Sequence, residues 1–181
     1  MNGRRVRRDL LGIIATTGAP PRFPAMLHKT QPSIWKSDSA SDDDVTAFVF
    51  NEEDFTYSFW EAQCMGDVIL AAHFISTTRR EPLERSVHFV SVDAGALREL
   101  AVKYAQEDEF SKPVCRGVRR IHYNFTLSEQ SSLQVVGLMR GSLLGISKRS
   151  LMQANEALMA AHCEQFEGAE KCACDVAGLP E

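Results

Sequence analysis

Residues 86–110 read SVHFVSVDAGALRELAVKYAQEDEF, and this stretch decides the fold class. Val87 to Val92 is rich in β-branched residues over the length of a strand, whereas Leu97, Leu100, Ala101, Tyr104 and Ala105 recur at helical spacing. The pattern predicts a strand that passes directly into a helix. Asp93 stands at the junction, where its carboxylate can accept from an orphan amide and suits the positive end of the helix dipole.

Further along the chain, Ser150 and Gln153 form a capping-box pattern ahead of a stripe of Leu151, Ala154, Leu158 and Ala161, with Gly168 beyond it. A helix over 151–166 is expected. Towards the N-terminus, Val45 to Phe50 reads as a strand, Asn51 to Asp54 as a turn, and Phe55 to Phe74 as an apolar stretch open to either structure. Ser37 to Asp44, SDSASDDD, reads as a polar loop. Pro20, Pro21, Pro24 and Pro32 fix their own torsions and restrict the residues before them, so residues 1–36 are expected to form an extended N-terminal arm. Residues 37–181 then make a single globular domain. Strands and helices alternate without a long all-β run, which predicts an α+β or α/β fold, one compact domain with a small mixed sheet and packed helices.

With 181 residues the chain can bury a substantial core without metal or disulfide staples. No apolar run reaches the length of a membrane span, and Arg140 interrupts the nearest candidate. Basic residues and a short apolar patch at the N-terminus imitate a signal sequence, but Gly12, Thr16 and Thr17 break the patch, and retention in the cytoplasm is expected. The five cysteines, Cys64, Cys115, Cys163, Cys172 and Cys174, form no regular framework and read as reduced thiols. Charge is segregated behind a net value of −4: residues 1–36 hold seven Lys/Arg against one Asp, and residues 37–78 hold nine Asp/Glu and no Lys/Arg. Local patches of this kind, rather than the average, set a binding field.

The second informative stretch is CRGVRRIHYNFTL, Cys115 to Leu127. Read as a strand, it sends Ile121, Tyr123, Phe125 and Leu127 one way and Arg120, His122, Asn124 and Thr126 the other. Arg116, Arg119 and Arg120 could clasp phosphate oxygens, and His122 could move a proton. The plainer reading is a solvated sheet face on which the arginines cover apolar neighbours. Gly137, Gly141 and Gly145 suggest either a close-packed helix or a hairpin turning at Arg140-Gly141. Motifs of the common hydrolases, zinc proteases and dinucleotide folds are absent from the sequence.

The order of features in HFVSVDAGALRELAVKYAQEDEFSKPVCRGVRR resembles the start of the ParB/sulfiredoxin-type fold. Leu97-Arg98-Glu99-Leu100-Ala101 stands for its helix, Lys112-Pro113-Val114 for its next strand, and Gly117-Val118-Arg119-Arg120 for its phosphate box. Within that superfamily, the plasmid fertility-inhibition proteins of the oncogenic-suppression type are similar in size. The resemblance implies a cytoplasmic nucleotide- and DNA-binding protein of a conjugative plasmid, with ATP and a divalent metal (Mg or Mn) as cofactors and type IV secretion components as partners. Its implied chemistry is phosphodiester hydrolysis, as ATPase or DNase. Arg116, Arg119 and Arg120 would then hold phosphates, with Glu99, Asp93 and His122 as catalytic candidates. Without that chemistry Glu99 pairs with Lys103 on the helix surface. The rival is a non-catalytic regulator or inhibitor whose acidic 37–54 segment meets a basic partner.

Overall fold

The computed structural model describes residues 14–36, 40–50, 55–78, 86–107 and 116–154, with Arg116 and Arg119 placed by their backbone only. In chain order the elements are β1 (Thr16–Thr17), β2 (Ala25–Lys29), α1 (Pro32–Trp35), α2 (Asp42–Val49), β3 (Thr56–Ala62), α3 (Met65–Thr78) and β4 (Ser86–Asp93). They continue with α4 (Ala94–Leu100), β5 (Lys103–Gln106), α5 (Arg116–Ile121), β6 (His122–Thr126), α6 (Glu129–Met139), β7 (Leu144–Ser147) and α7 (Lys148–Gln153). The seven strands form one sheet in the order β1-β7-β4-β2-β3-β6-β5. Every pairing is antiparallel, so the fold is α+β and its sheet is not mixed.

Both faces of the sheet are covered by helices, and strand alternation sorts the core into two layers. Leu27, Trp60, Phe89, Leu144 and Ile146 pack on one face with residues of α3, Val118 of α5 and Leu151 of α7. Met26, Phe59, Val90, Val92 and Phe125 pack on the other with Val45 of α2, Leu97 of α4 and Val135, Val136 and Met139 of α6. Phe59 and Phe125 meet edge to face at 5.4 Å between ring centroids. Each such fully buried side chain contributes about 1.5–3 kcal/mol through removal of apolar surface from water.

The expected junction at Asp93 forms: the carboxylate accepts from the Ala96 amide at 2.9 Å and starts α4. That helix stops at Leu100 rather than continuing to Ala105, because Ala101 turns extended. Tyr104 joins β5 instead, where its ring stacks on Phe125 at 5.1 Å.

Four other expectations are corrected. The segment Val45–Phe50 is helical, not a strand: Ser41 and Asp44 form a reciprocal capping box, and Asp42, Asp43 and Asp44 occupy the first turn of α2. Those Ser41 hydrogen bonds hold the Asp44 carboxyl below its ordinary range. Residues 1–36 do not form a surface arm over their described part. Pairing with both β3 and β4 places β2 at the centre of the sheet, with Met26 and Leu27 fully buried. The C-terminal helix begins three residues earlier than its capping pattern suggests. Ser147 caps α7, while Ser150 turns inward and accepts from the Ala15 amide at 3.1 Å; residues 155–166 lie outside the described residues. The three glycines make neither one helix nor one hairpin. Gly137 lies in α6, Gly141 turns with φ 76°, and Gly145 lies in β7.

Candidate functional site

CRGVRRIHYNFTL is divided by the fold. Arg116 to Ile121 forms α5, and only His122 to Thr126 forms β6. Arg120 is exposed on the helix, and its carbonyl accepts from the Gln106 side chain at 2.8 Å. His122 is buried at 7% exposure on the strand, with its ring 4.3 Å from Trp60. The two therefore do not share a polar strand face.

The carboxylate candidates lie elsewhere. Glu99 is exposed on α4, and Lys103 belongs to β5 rather than to the next turn of that helix, so the expected pairing along one helix has no basis. Arg98 beside it pairs with Glu61 at 2.9 Å and lies over the Tyr104 ring. Asp93 is committed to its cap. Because Leu97 of α4 packs on one sheet face and Val118 of α5 on the other, the fold separates the carboxylate helix from the arginine helix. His122 lies on the α5 side, against Trp60.

What the fold does assemble is a cleft where the sheet parts. Strand β2 stays paired with β4 as far as Lys29, and β3 with β6 as far as Thr56. Mutual pairing of β2 and β3 ends at Leu27 and Trp60. Beyond that point a cavity of about 460 Å³ opens, lined among others by His28, Thr30, Ser58, Trp60, Phe74 and His122. Its size lies within the usual range of small-molecule sites.

Several polar groups in the cleft are held by neighbours. Nδ1 of His28 lies 3.0 Å from the Ser58 carbonyl oxygen. A carbonyl can only accept, so the proton sits on Nδ1 and Nε2 is the acceptor of the neutral ring. Burial against Phe50 and Phe59 pushes this imidazole down to about 4, opposed by the Ser58 hydrogen bond, although the residue keeps some solvent access. Burial likewise pushes His122 down to about 4, against the opposing charge of Glu107. The buried Thr30 hydroxyl accepts from the Trp35 indole at 2.6 Å. Ser58 donates to Asn124 at 3.2 Å, and the Asn124 amide donates to the Glu107 carboxylate, which links β3 through β6 to the residue that follows β5.

At neutral pH both imidazoles are uncharged. A base titrating near 4 is a poor proton acceptor at pH 7 but a good hydrogen-bonding group. The rings line the cavity from the two sides of the sheet, His28 beside Phe50 and Phe59 and His122 beside Trp60, and uncharged donors and acceptors among aromatic neighbours suit binding of a planar polar molecule. Of these residues only His122 is a sequence candidate. His28 and Thr30 fall within the expected arm, and no spacing in the sequence links them to Ser58 or Trp60. The five-residue run AMLHK, Ala25 to Lys29, carries a short apolar strand signal that the surrounding prolines obscure.

Comparison with protein-family models, curated proteins and solved structures finds no match for this chain. No helix among the described residues is long and apolar enough to cross a membrane. Among the same residues no group of three His, Cys, Asp or Glu side chains is placed to hold a metal ion.

Proposed function

We propose that this chain is a ligand-binding protein that takes a nucleobase-bearing molecule in the cleft between β2 and β3. The observation that carries the reading is the conjunction of two neutral imidazoles, the buried Thr30 hydroxyl and aromatic walls around a cavity of about 460 Å³. A heterocycle offers edge donors to the His28 acceptor and flat faces to the aromatic side chains, which is the geometry by which unstacked bases are held. The reading favours binding over hydrolysis, since Asp93 caps a helix and Glu99 lies on the face opposite α5.

Under the same proposal, Arg116, Arg119 and Arg120 on α5 supply the nucleic-acid contact. The cellular role is then that implied by the family resemblance, inhibition of plasmid DNA transfer through type IV secretion. The exposure of Arg120 on a helix bearing two further arginines supports this second contact.

Thermal unfolding with a panel of free bases, nucleosides and nucleotides, each with and without magnesium, tests the cleft. A ligand present at a hundred times its dissociation constant stabilises the folded state by about 2.7 kcal/mol. The His28→Leu variant should remove the shift while remaining folded. An unchanged melting temperature with every member of the panel would overturn the proposal.

A further inference from the structure

Strand β5 ends the sheet, and among the described residues no strand pairs its outer side. Its register on β6 fixes which backbone groups face outward. Lys103, Tyr104, Ala105 and Gln106 stand opposite Thr126, Phe125, Asn124 and Tyr123. Next in the ladder, the Glu107 amide donates to the facing His122 carbonyl at 3.0 Å. Hydrogen-bonded pairs alternate with pairs whose backbone groups turn away in an antiparallel ladder. Glu107 belongs to the first kind, so Ala105 and Lys103 also bond β6. Tyr104 and Gln106 therefore present their N–H and C=O groups to the outside.

We infer that this edge pairs with a second copy of the chain, antiparallel about a twofold axis through Ala105. In that register Tyr104 of one copy faces Gln106 of the other, and the outward backbone groups of both strands satisfy one another. Ala105 meets its counterpart, where a small side chain avoids crowding. Lys103 falls opposite Glu107 on each side of the axis. A lysine on an edge strand ordinarily discourages pairing; here the symmetry supplies it with an opposite charge twice. All four residues of β5 are exposed, and Tyr104 and Val102 retain 47% and 68% of their surface, so the apolar area to be covered is also present. The contact is isologous, and its single short strand places it in the weak, concentration-dependent class.

Sedimentation velocity of the full chain over a wide concentration series reads this directly. The expected result is a mass rising from one chain towards two. Proline at 106 removes an outward N–H, and with it the side-chain bond to the Arg120 carbonyl, while sparing the bonds of Ala105 and Glu107 to β6, so Gln106→Pro should remain monomeric with an unchanged circular dichroism spectrum. Lys103→Glu opposes like charges and should weaken dimerisation roughly tenfold. Adding Glu107→Lys to that variant should recover the loss. A wild type that stays monomeric throughout overturns the inference, as does a dimer that survives Gln106→Pro in a folded chain. Should that proline variant misfold, failure of the charge reversal to weaken the dimer overturns it equally.

Discussion

His28, one residue past the Leu27–Trp60 pair at which β2 and β3 cease to share a ladder, donates from Nδ1 to the backbone carbonyl of Ser58, two residues from Trp60. A side chain thus bonds the opposite strand where the two strands separate, and this imidazole lines the cleft that opens there. Charge on the ring would oppose its burial, so the state of the cleft is tied to pH.

The sign follows from two titration points. His28 and His122 titrate near 4 in the folded chain and near 6.5 when unfolded. Between these values the unfolded chain binds protons that the folded chain refuses, so stability rises with pH across the window. It is complete above about 6.5 and is lost as pH falls through about 4. For the buried His122 the loss amounts to about 3 kcal/mol. Urea unfolding of wild type and His122→Gln between pH 7.5 and 4 checks this, because the carboxylates shared by both proteins cancel in the difference. A wild-type-minus-variant difference that stays flat across the range would contradict the buried neutral ring.

Gly137 and Gly145 should respond in opposite directions to alanine. A Cβ at Gly137 would meet only the Asp42 carboxylate at 3.6 Å, and the residue lies within α6. Gly137→Ala should therefore stabilise the protein by about 0.5–1 kcal/mol through helix propensity. At Gly145 a Cβ would lie 2.5 Å from the Thr17 hydroxyl and 3.0 Å from the His88 ring. Gly145→Ala should part β1 from β7 and lower stability by about 1–3 kcal/mol. Thermal melts of the two single variants give the answer.

Asp93→Ala should cost about 1 kcal/mol, the usual loss for an unfilled N-cap, and Asp93→Asn or Asp93→Ser should restore most of it. Chemical denaturation of the three variants separates a cap from a reacting carboxylate. A cap tolerates any short acceptor, whereas a group that activates water requires the charge.

The legible parts of this fold were those whose signals are local. The β-branched run Val87 to Val92 followed by Asp93 and Leu97 needs no distant partner to be read, and it forms as its pattern indicates. Where two readings had similar local merit, tertiary pairing decided. Tyr104 fits the helical stripe of α4 equally well, but as part of β5 it covers Phe125 and completes the β6 ladder. The Ser41-x-x-Asp44 cap was present in the sequence and was overshadowed by the apolar residues that follow it. The cleft was the least legible part. His28, Ser58 and His122 come from three strands, and their meeting depends on where one ladder stops. A ladder's end is a property of the assembled sheet, and no single strand encodes it.

The arginines of α5 offer the last test. Helix α5 puts Arg116, Arg119 and Arg120 in six residues, with Arg120 exposed. Three phosphate contacts to duplex DNA would contribute a slope of about −0.9 each to the dependence of log affinity on log salt concentration. Replacing all three by alanine should therefore flatten that slope by about 2.7 and weaken binding far more than it lowers the melting temperature. Fluorescence anisotropy with a labelled duplex at several salt concentrations measures both quantities. The same variant should leave the thermal shift produced by a free nucleobase unchanged, because the cleft reading rests on His28, Thr30 and Ser58, and Arg120 is not among the described residues that line it. Equal slopes for wild type and variant would remove DNA from the proposed partners while leaving the cleft reading intact.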